Sequence, residues 1–378
     1  MSAATTPDPT AAPRVLMLAP PGGVRGPIPT IAPLLAAGMR ELGCVVETAP
    51  WGRRAGDESP LDTVLGRALD LLGARARCRR STCDVLLVHT SHDWKTLARD
   101  LPLVLVCRAG VGSVVLMIHG SRVESLSRRP LAPFSVVTRL LVSLADAVLV
   151  LSSEEQRAWD KVLPGRRFYV VANPFVTPVG PRASLATGNA RHDAFELLYV
   201  GRLIEEKGVF DLVAAMAELG PGRAARLRIA GDGPDDARLR ARIAELELAD
   251  RVELCGHVGG AALWRLYASA DLFVLPTFWK EGFPTVLSEA MGMGLPIVTT
   301  PVRGAADHLR EGVNAAFVPP HDPGALAAAI VRLMDDPELC RAMAQHNRAK
   351  VADFAPATVA RTYVEAMVEA LRARAVPA

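Results

Sequence analysis

The chain has 378 residues, half of them apolar, and a net charge of +3, so two domains of ordinary size are expected, each with a large core. Its six cysteines form no C-x-x-C pair and no zinc-ligand spacing, a pattern typical of reduced thiols in a cytosolic protein. No uncharged apolar run reaches the roughly 18 residues that a membrane-spanning helix needs.

Charge is divided unevenly along the chain. Residues 14–176 carry 21 Lys or Arg against 14 Asp or Glu, whereas residues 177–378 carry 22 against 25. The basic first half indicates an anionic partner. Nucleic acid is not expected, because aromatic residues make up only 5% of the chain and are not interleaved with the arginines. Residues 1–13 predict a disordered tail, which lacks the basic start and apolar segment of a signal peptide.

Residues 14–176 predict a doubly wound α/β domain. A strand, a glycine loop, a helix and a second strand follow one another over residues 15–48, which predicts a right-handed parallel crossover. The loop contains Gly22 and Gly23 but no G-x-G-x-x-G, so it predicts close backbone approach to a phosphate or sugar, or else a plain tight turn. Further strands are expected at 84–89, 114–118, 147–151 and 169–172.

Histidines follow two neighbouring strands of this domain. His119 comes directly after the strand at 114–118, and His89 and His92 lie at the end of the strand before it. Because α/β proteins bind ligands at the carboxyl edge of parallel strands, these side chains are candidate ligand contacts, His119 above all. The alternative for each is a structural loop histidine.

Residues 66–80 predict a basic amphipathic helix, in which Leu69 and Leu72 lie among several arginines. Such a helix can lie on an anionic membrane surface. The alternative is a solvated helix face. On the first interpretation the protein is cytoplasmic and makes peripheral contact with the inner face of a membrane.

Residues 177–193 are rich in Pro, Gly and Ala and predict a linker. Residues 194–352 then predict a second doubly wound domain. Its strands are expected at 196–200, 226–230, 252–255, 272–275 and 296–299. Arg202 and Lys207 both follow the first of these strands, and a lysine beside a forked guanidinium at one sheet edge can bind a diphosphate.

The stretch at 281–290, E-G-F-P-T-V-L-S-E-A, lies between two predicted strands. Pro284 fits the first turn of a helix, with Glu281 in the loop before it and Glu289 inside it. Free N–H groups at a helix start suit a phosphate, and carboxylates on either side suit sugar hydroxyls. The stretch therefore predicts a site for a nucleotide-diphosphate sugar. Two solvated glutamates on a surface helix are the alternative for the spacing alone.

Three motifs occur in a fixed order: G-R-L with K-G over 201–208, G-D-G-P at 231–234, and the stretch at 281–290. Together they resemble the retaining glycosyltransferases of family 4 (group 1), specifically over residues 196–333 and more loosely before that. The resemblance implies an α/β GT-B fold, in which two doubly wound Rossmann-like domains face each other across a cleft. It also implies that a final helix within 353–378 returns to the first domain.

The resemblance assigns roles to individual residues. Arg202 and Lys207 would hold the donor diphosphate, and Glu289 would accept hydrogen bonds from the ribose hydroxyls. Glu281 and His119 would contact the transferred sugar near the reacting centre.

Backbone groups would complete the donor site. Gly22 and Gly23 would approach the donor, and the backbone at Val258 would meet the base. Because Pro284 has no N–H, the donors facing the phosphate would belong to Phe283, Thr285 or Val286. The resemblance implies no metal and no cofactor, and the sequence has no Asp-x-Asp motif to carry a metal.

The expected function is therefore transfer of a sugar from a nucleotide-diphosphate donor to a carbohydrate, lipid-linked or small-molecule acceptor, with retention of configuration. The alternatives are a non-catalytic sugar-nucleotide-binding protein and a sugar-nucleotide epimerase or phosphorylase on the same fold. A phosphorylase would need a pyridoxal lysine, and neither Lys280 nor Lys350 has the expected setting.

Overall fold

The computed structural model describes residues 12–21, 26–52, 60–80, 83–177 and 193–375. The chain divides into two compact units: unit 1 is Met1–Phe175 with Asp353–Ala378, and unit 2 is Val176–Ala352. Most of the predicted tail, Gly22 and Gly23 of the glycine loop, and most of the predicted linker lie outside the described residues.

The described part of unit 1 has a sheet of six parallel strands in the order β2-β1-β3-β4-β5-β6. They are β1 (Arg14–Ala19), β2 (Val45–Pro50), β3 (Val85–Thr90), β4 (Ser113–Ile118), β5 (Ala147–Val150) and β6 (Phe168–Val170). The central strands β3 and β4 are buried at every position, as expected for a parallel sheet that helices cover on both faces.

Helices cover both faces of this sheet. The first six are α1 (Ile28–Glu41), α2 (Pro60–Arg80), α3 (Trp94–Cys107), α4 (Val123–Arg128), α5 (Pro133–Leu144) and α6 (Ser153–Val162). Alternate strand residues face opposite sides: Leu86 and Leu116 pack with α2, α3, α5 and α6, whereas Leu87 and Met117 pack with α1. The predicted doubly wound arrangement is confirmed.

Unit 2 repeats the plan with a different strand order. Its strands are β7 (Phe195–Val200), β8 (Ala225–Ala230), β9 (Val252–Gly256), β10 (Leu272–Leu275), β11 (Ile297–Thr299) and β12 (Ala316–Phe317). Its helices are α7 (Val209–Glu218), α8 (Asp236–Glu245), α9 (Gly260–Ser269), α10 (Thr285–Gly292), α11 (Gly304–His308), α12 (Pro323–Asp335) and α13 (Pro337–Lys350). The sheet order is β12-β11-β10-β7-β8-β9. The two-residue strand β12 was not predicted, because so short a run carries no periodicity.

The last helix, α14 (Pro356–Ala375), belongs to unit 1. Its buried side chains Val359, Tyr363 and Met367 enter the same core as α1 and the sheet. Gly38 on α1 allows the two helices to meet, since a Cβ there would overlap the backbone of Pro356. The end of the chain therefore completes the core that its beginning starts.

Candidate active site

The strand order of unit 2 reverses beside its first strand. β7 lies between β10 and β8, so the connections that leave β7 and β10 diverge to opposite sides of the sheet. In open α/β sheets, ligands bind in the crevice that this reversal opens at the carboxyl ends of the strands. Arg202 and Lys207 follow β7 and Glu281 follows β10, so the topology brings these predicted residues to one edge.

Lys207 and Glu281, 74 residues apart in sequence, form an ion pair through Nζ and Oε1. Their side chains are 13% and 28% exposed, so the pair is largely enclosed but reachable. An ammonium group has three donors and a carboxylate two oxygens, so one contact satisfies each only in part. The pair therefore presents both a cation and an acceptor to a ligand at this edge.

Backbone contacts hold the loop after β7 against the loop after β10. Gly208 has φ 73° and lies so close to Pro276 that a Cβ would overlap the proline carbonyl oxygen. The N–H groups of Phe278 and Trp279 both donate to the carbonyl oxygen of Glu206, at 2.9 Å each. The position of the Lys207–Glu281 pair is thus set by main-chain geometry on both sides.

Arg303 supports the same loop, and no sequence motif marks it. Its side chain is 1% exposed, and Nη1 donates to the carbonyl oxygen of Lys280 at 3.0 Å. It has φ 47° and ψ −119°, a sparsely populated backbone conformation that costs a non-glycine residue roughly 1 to 3 kcal/mol. A strained, buried arginine therefore fixes the residue directly before Glu281.

Arg202 contrasts with Lys207. Its side chain is exposed, and across the described residues its guanidinium has no ion pair or hydrogen bond. Its carbonyl oxygen accepts a hydrogen bond from Tyr199 Oη at 3.1 Å. This bond fixes the main chain of Arg202, while its guanidinium stays available to a ligand.

The helix start lies one residue later than the first-turn position predicted for Pro284. Pro284 is the N-cap, with φ −59° and ψ 128°, and α10 begins at Thr285. Leu287 N–H donates to the Pro284 carbonyl at 3.0 Å, while the N–H groups of Thr285 and Val286 have no acceptor in the described ranges. Phe283 precedes the cap, and its ring is buried edge-on against His308.

Glu289, on the second turn of α10, has a partner that the sequence did not predict. Its Oε2 accepts a hydrogen bond from the buried Tyr267 Oη at 2.7 Å, and burial raises the pKa of the Glu289 carboxyl. Oε1 has no partner in the part of the chain that the structure describes. Tyr267 lies on α9, and no motif marks it.

The loops after β8 and β9 join the same edge. Gly231 N–H donates to the Gly256 carbonyl at 2.8 Å, and a Cβ on Gly231 would overlap the carbonyl oxygen of Gly201. Val258 follows in this loop and is partly exposed. The backbone that was predicted to meet a base thus belongs to the same sheet edge as Arg202.

In unit 1, two of the three predicted histidines meet. His89 Nδ1 lies 2.8 Å from His119 Nε2, and the rings stack with centroids 5.1 Å apart. Burial lowers the pKa of His89 to about 4, and burial together with His89 lowers the pKa of His119 well below its usual value. Both imidazoles are therefore neutral at pH 7.

His92 has a structural role instead. Its Nδ1 accepts from Arg122 N–H at 2.9 Å, and its Nε2 lies 3.0 Å from Thr138 Oγ1. The ring is buried between Phe134 and Trp159. For His92 the structural alternative is the right one, and Gly22 and Gly23 lie outside the described residues.

The described residues form neither a metal site nor a membrane span. Within the described ranges, no group of three or more His, Cys, Asp or Glu side chains is placed to hold a metal ion. In the same residues, no helix has the length and apolar character needed to cross a membrane.

The sequence matches known proteins over the residues that build this edge. The family model described as glycosyl transferases group 1 matches residues 184–350. Alpha-D-kanosaminyltransferase from Streptomyces kanamyceticus is 33% identical over an alignment of 301 residues that covers 74% of this chain and 76% of that protein. The chain belongs to the group 1 glycosyltransferases. It is an enzyme of that class, as predicted.

Solved structures agree on the fold. Sucrose-phosphate synthase from Thermosynechococcus elongatus has a TM-score of 0.71 at 20% identity, covering 91% of this chain and 95% of that one. HepE from Anabaena, in complex with UDP-glucose, has a TM-score of 0.69 at 20% identity, covering 96% and 100%. At this identity the likeness concerns the fold alone, and it confirms two Rossmann-like domains of the GT-B class.

Proposed function

We propose that this group 1 glycosyltransferase moves a sugar from a nucleotide-diphosphate donor to a hydroxyl of a carbohydrate, lipid-linked or small-molecule acceptor. The reaction retains anomeric configuration and needs no metal, as in the family 4 enzymes that its motifs resemble. The observation that carries the proposal is the Lys207–Glu281 pair at the strand-order reversal, beside Arg202 and the start of α10.

The diphosphate binds between Arg202, Lys207 and the N–H groups of Thr285 and Val286. Lys207 and the two N–H groups are held in place before the reaction, by the ion pair with Glu281 and by the start of α10. Together with Arg202 they face the oxygens on which negative charge accumulates as the bond to the sugar breaks. Preorganised donors of this kind stabilise a leaving group without reorganisation, so a metal ion is not required. Full activity in excess chelator supports this; a rate that returns only with Mn²⁺ or Mg²⁺ contradicts it.

The nucleoside lies along the loops after β8 and β9. Glu289 accepts hydrogen bonds from the ribose through Oε1, since Oε2 is held by Tyr267, and the backbone at Val258 contacts the base. HepE, whose fold this chain shares, is described in complex with UDP-glucose, which supports a nucleotide-sugar donor.

Retention is supported by the low basicity of the two paired histidines in unit 1. Inversion needs a base to deprotonate the acceptor, but His89 and His119 have depressed pKa values and are weak bases. The carboxylate of Asp93, another candidate base, is engaged as the cap of α3, where it accepts a hydrogen bond from Thr96 N–H. In the retaining route, the bond from anomeric carbon to phosphate oxygen breaks, the acceptor oxygen bonds to that carbon on the same face, and the leaving phosphate takes the acceptor proton.

The test combines a donor screen with product stereochemistry. Nucleotide sugars that raise the melting temperature are incubated with acceptors, and the released nucleotide is measured. A retained product assigned by NMR supports the proposal, and an inverted product contradicts the mechanism. Donor binding with no release of nucleotide diphosphate, with or without acceptor, would favour the non-catalytic binding protein.

We also propose that unit 1 contacts an anionic membrane. Helices α2, α3 and α5 cover one face of its sheet, and their exposed apolar side chains are Leu69, Leu72, Trp94, Leu105, Val136 and Leu140, with Leu131 just before α5. Exposed arginines flank them on α2 and next to Leu131. Apolar side chains bordered by arginines match an anionic lipid surface, and the predicted helix at 66–80 is one part of this face.

Vesicle flotation tests the membrane contact. Binding to phosphatidylglycerol vesicles should exceed binding to phosphatidylcholine vesicles and should fall when Trp94→Ser and Leu131→Ser are combined. Val45→Ser is the control, because Val45 is 62% exposed but lies on the edge strand β2. Equal loss in the control, or equal binding to both lipids, would contradict this assignment.

A further inference from the structure

The pair of neutral histidines in unit 1 can hold only one proton between its facing nitrogens. His89 Nδ1 and His119 Nε2 are 2.8 Å apart, so one donates and the other accepts. Two arrangements satisfy this contact. In one, His89 carries its proton on Nδ1 and donates; in the other, His119 carries its proton on Nε2 and donates.

The far nitrogen of His89 decides between them. His89 Nε2 is buried and has no hydrogen-bond partner. A buried N–H without an acceptor is rarer and costlier than a buried lone pair without a donor. His89 therefore carries its proton on Nδ1 and donates it to His119. His119 Nε2 is then the acceptor, and the proton of His119 lies on Nδ1.

We propose that His89 is a positioning residue that fixes His119 in the Nδ1–H tautomer, so that His119 offers an N–H donor to a hydroxyl oxygen of the sugar substrate. His119 is partly exposed, and its Nδ1 has no partner in the described part of unit 1. The substrate half of this inference rests on the proposed function, whereas the tautomer half does not.

His92 supplies an internal contrast. Its Nδ1 accepts from the backbone N–H of Arg122, so its own proton lies on Nε2, next to Thr138 Oγ1. His89 lies in β3 and His92 follows the same strand, yet the two are held in opposite tautomers. The difference comes from their partners and not from their sequence positions.

The tautomers can be read directly without substrate. Protein labelled with ¹⁵N-histidine gives two-bond ¹H–¹⁵N correlations that distinguish Nδ1–H from Nε2–H, and single His→Asn variants assign the signals. His89 and His119 should be Nδ1–H and His92 should be Nε2–H at pH 7. An Nε2–H signal for His119 would overturn the inference.

Variants then test whether His89 sets the state of His119. In His89→Leu, His119 should populate both tautomers, and kcat should fall roughly 10-fold, the effect expected for one hydrogen bond. His89→Asn places an amide N–H near the lost Nδ1–H and should restore the tautomer and part of the rate. His92→Asn is the control for loss of a buried histidine, and it should leave the His119 signal unchanged.

The outcomes separate the two proposals. If His89→Leu leaves the His119 tautomer unchanged, the positioning role is wrong. If the tautomer shifts but turnover on a working donor does not, the substrate contact is wrong. If no nucleotide sugar is turned over by the wild type while the tautomers are as stated, the proposed function fails and the tautomer assignment stands.

Discussion

The two units use the same kind of parallel sheet but place opposite chemistry at its carboxyl edge. Unit 2 has the charged pair Lys207–Glu281 and the exposed Arg202, whereas unit 1 has the neutral pair His89–His119. The net charge of each half does not follow this pattern: residues 14–176 are basic, and residues 177–378 are slightly acidic. The net charge of a half therefore does not predict the charge of the residues at its sheet edge.

The difference indicates a division of labour. Cations at the edge of unit 2 suit the negative charge that develops on a leaving diphosphate. Uncharged imidazoles at the edge of unit 1 suit hydrogen bonds to sugar hydroxyls. The excess arginines of unit 1 lie partly on its helices, with Arg75 and Arg79 exposed on α2, where they suit an anionic surface.

Acid should affect unit 1 first. His89 and His92 both have pKa values lowered from 6.5 to about 4 by burial. A depressed pKa gives stability that is present above pH 6.5 and lost as pH falls towards 4. Each pH unit in that window costs about 1.4 kcal/mol per histidine, so each contributes a loss of about 2 kcal/mol between pH 6.5 and 5.

Pulsed hydrogen exchange at a fixed labelling pH, after incubation at pH 7 or pH 5, measures this loss for each unit. Peptides from β3 and β4 should become more accessible at pH 5, while those from β7 and β10 should change less. Earlier opening of unit 2 would remove this difference between the units.

Lys207→Ala should lower kcat roughly 10²- to 10³-fold, by analogy with the loss of one preorganised donor to a developing charge. It also leaves Glu281 without its ion-pair partner. Arg202→Ala should lower kcat by a similar factor with less effect on melting temperature, because Arg202 is exposed and unpaired in the described residues. Arg240→Ala, which removes a surface pair with Asp236, is the control. Near-normal turnover in either variant would show that the cations of unit 2 do not hold the leaving group.

Glu281→Gln should lower kcat roughly 10- to 100-fold, since the shape is kept and the charge that favours a cationic anomeric carbon is lost. Intact-mass analysis under donor should find no sugar attached to the wild type or the variant. A sugar adduct on Glu281 in the wild type would contradict direct attack by the acceptor on the face that the phosphate leaves. It would indicate a double displacement with Glu281 as the nucleophile.

Much of this geometry could be predicted, and the exceptions share a cause. Apolar runs located the strands, so residues directly after them, such as Lys207 and Glu281, could be assigned to an edge. Tyr267 and Arg303 could not, because their contacts depend on how α9 packs on α10 and on a strained turn before α11. His89 and His92 looked alike in sequence, and both are buried. Only the direction of each side chain makes His89 the partner of His119 and packs His92 against Phe134 and Trp159.

The smallest expected effect is that of Glu289→Gln, and it should have opposite signs for binding and stability. Burial raises the pKa of Glu289, so the folded state favours the protonated form, and the stability this gives is lost as pH rises through the folded pKa. Glutamine stays neutral and still accepts from Tyr267. The variant should therefore be at least as stable as the wild type at pH 7, with the difference shrinking as pH falls.

Donor binding should weaken in the same variant, by roughly 10-fold, because hydrogen bonds from ribose to a charged acceptor are stronger than those to an amide. Calorimetry with the nucleotide diphosphate and urea unfolding at pH 7 and pH 5 give the two numbers. Tyr267→Phe is the matched control: it removes the hydroxyl that holds Oε2 but leaves the carboxylate in place. If Glu289→Gln lowers stability and leaves affinity unchanged, the carboxylate supports the packing of α9 on α10 and does not bind the ribose. Glu289 would then not belong to the donor site of unit 2.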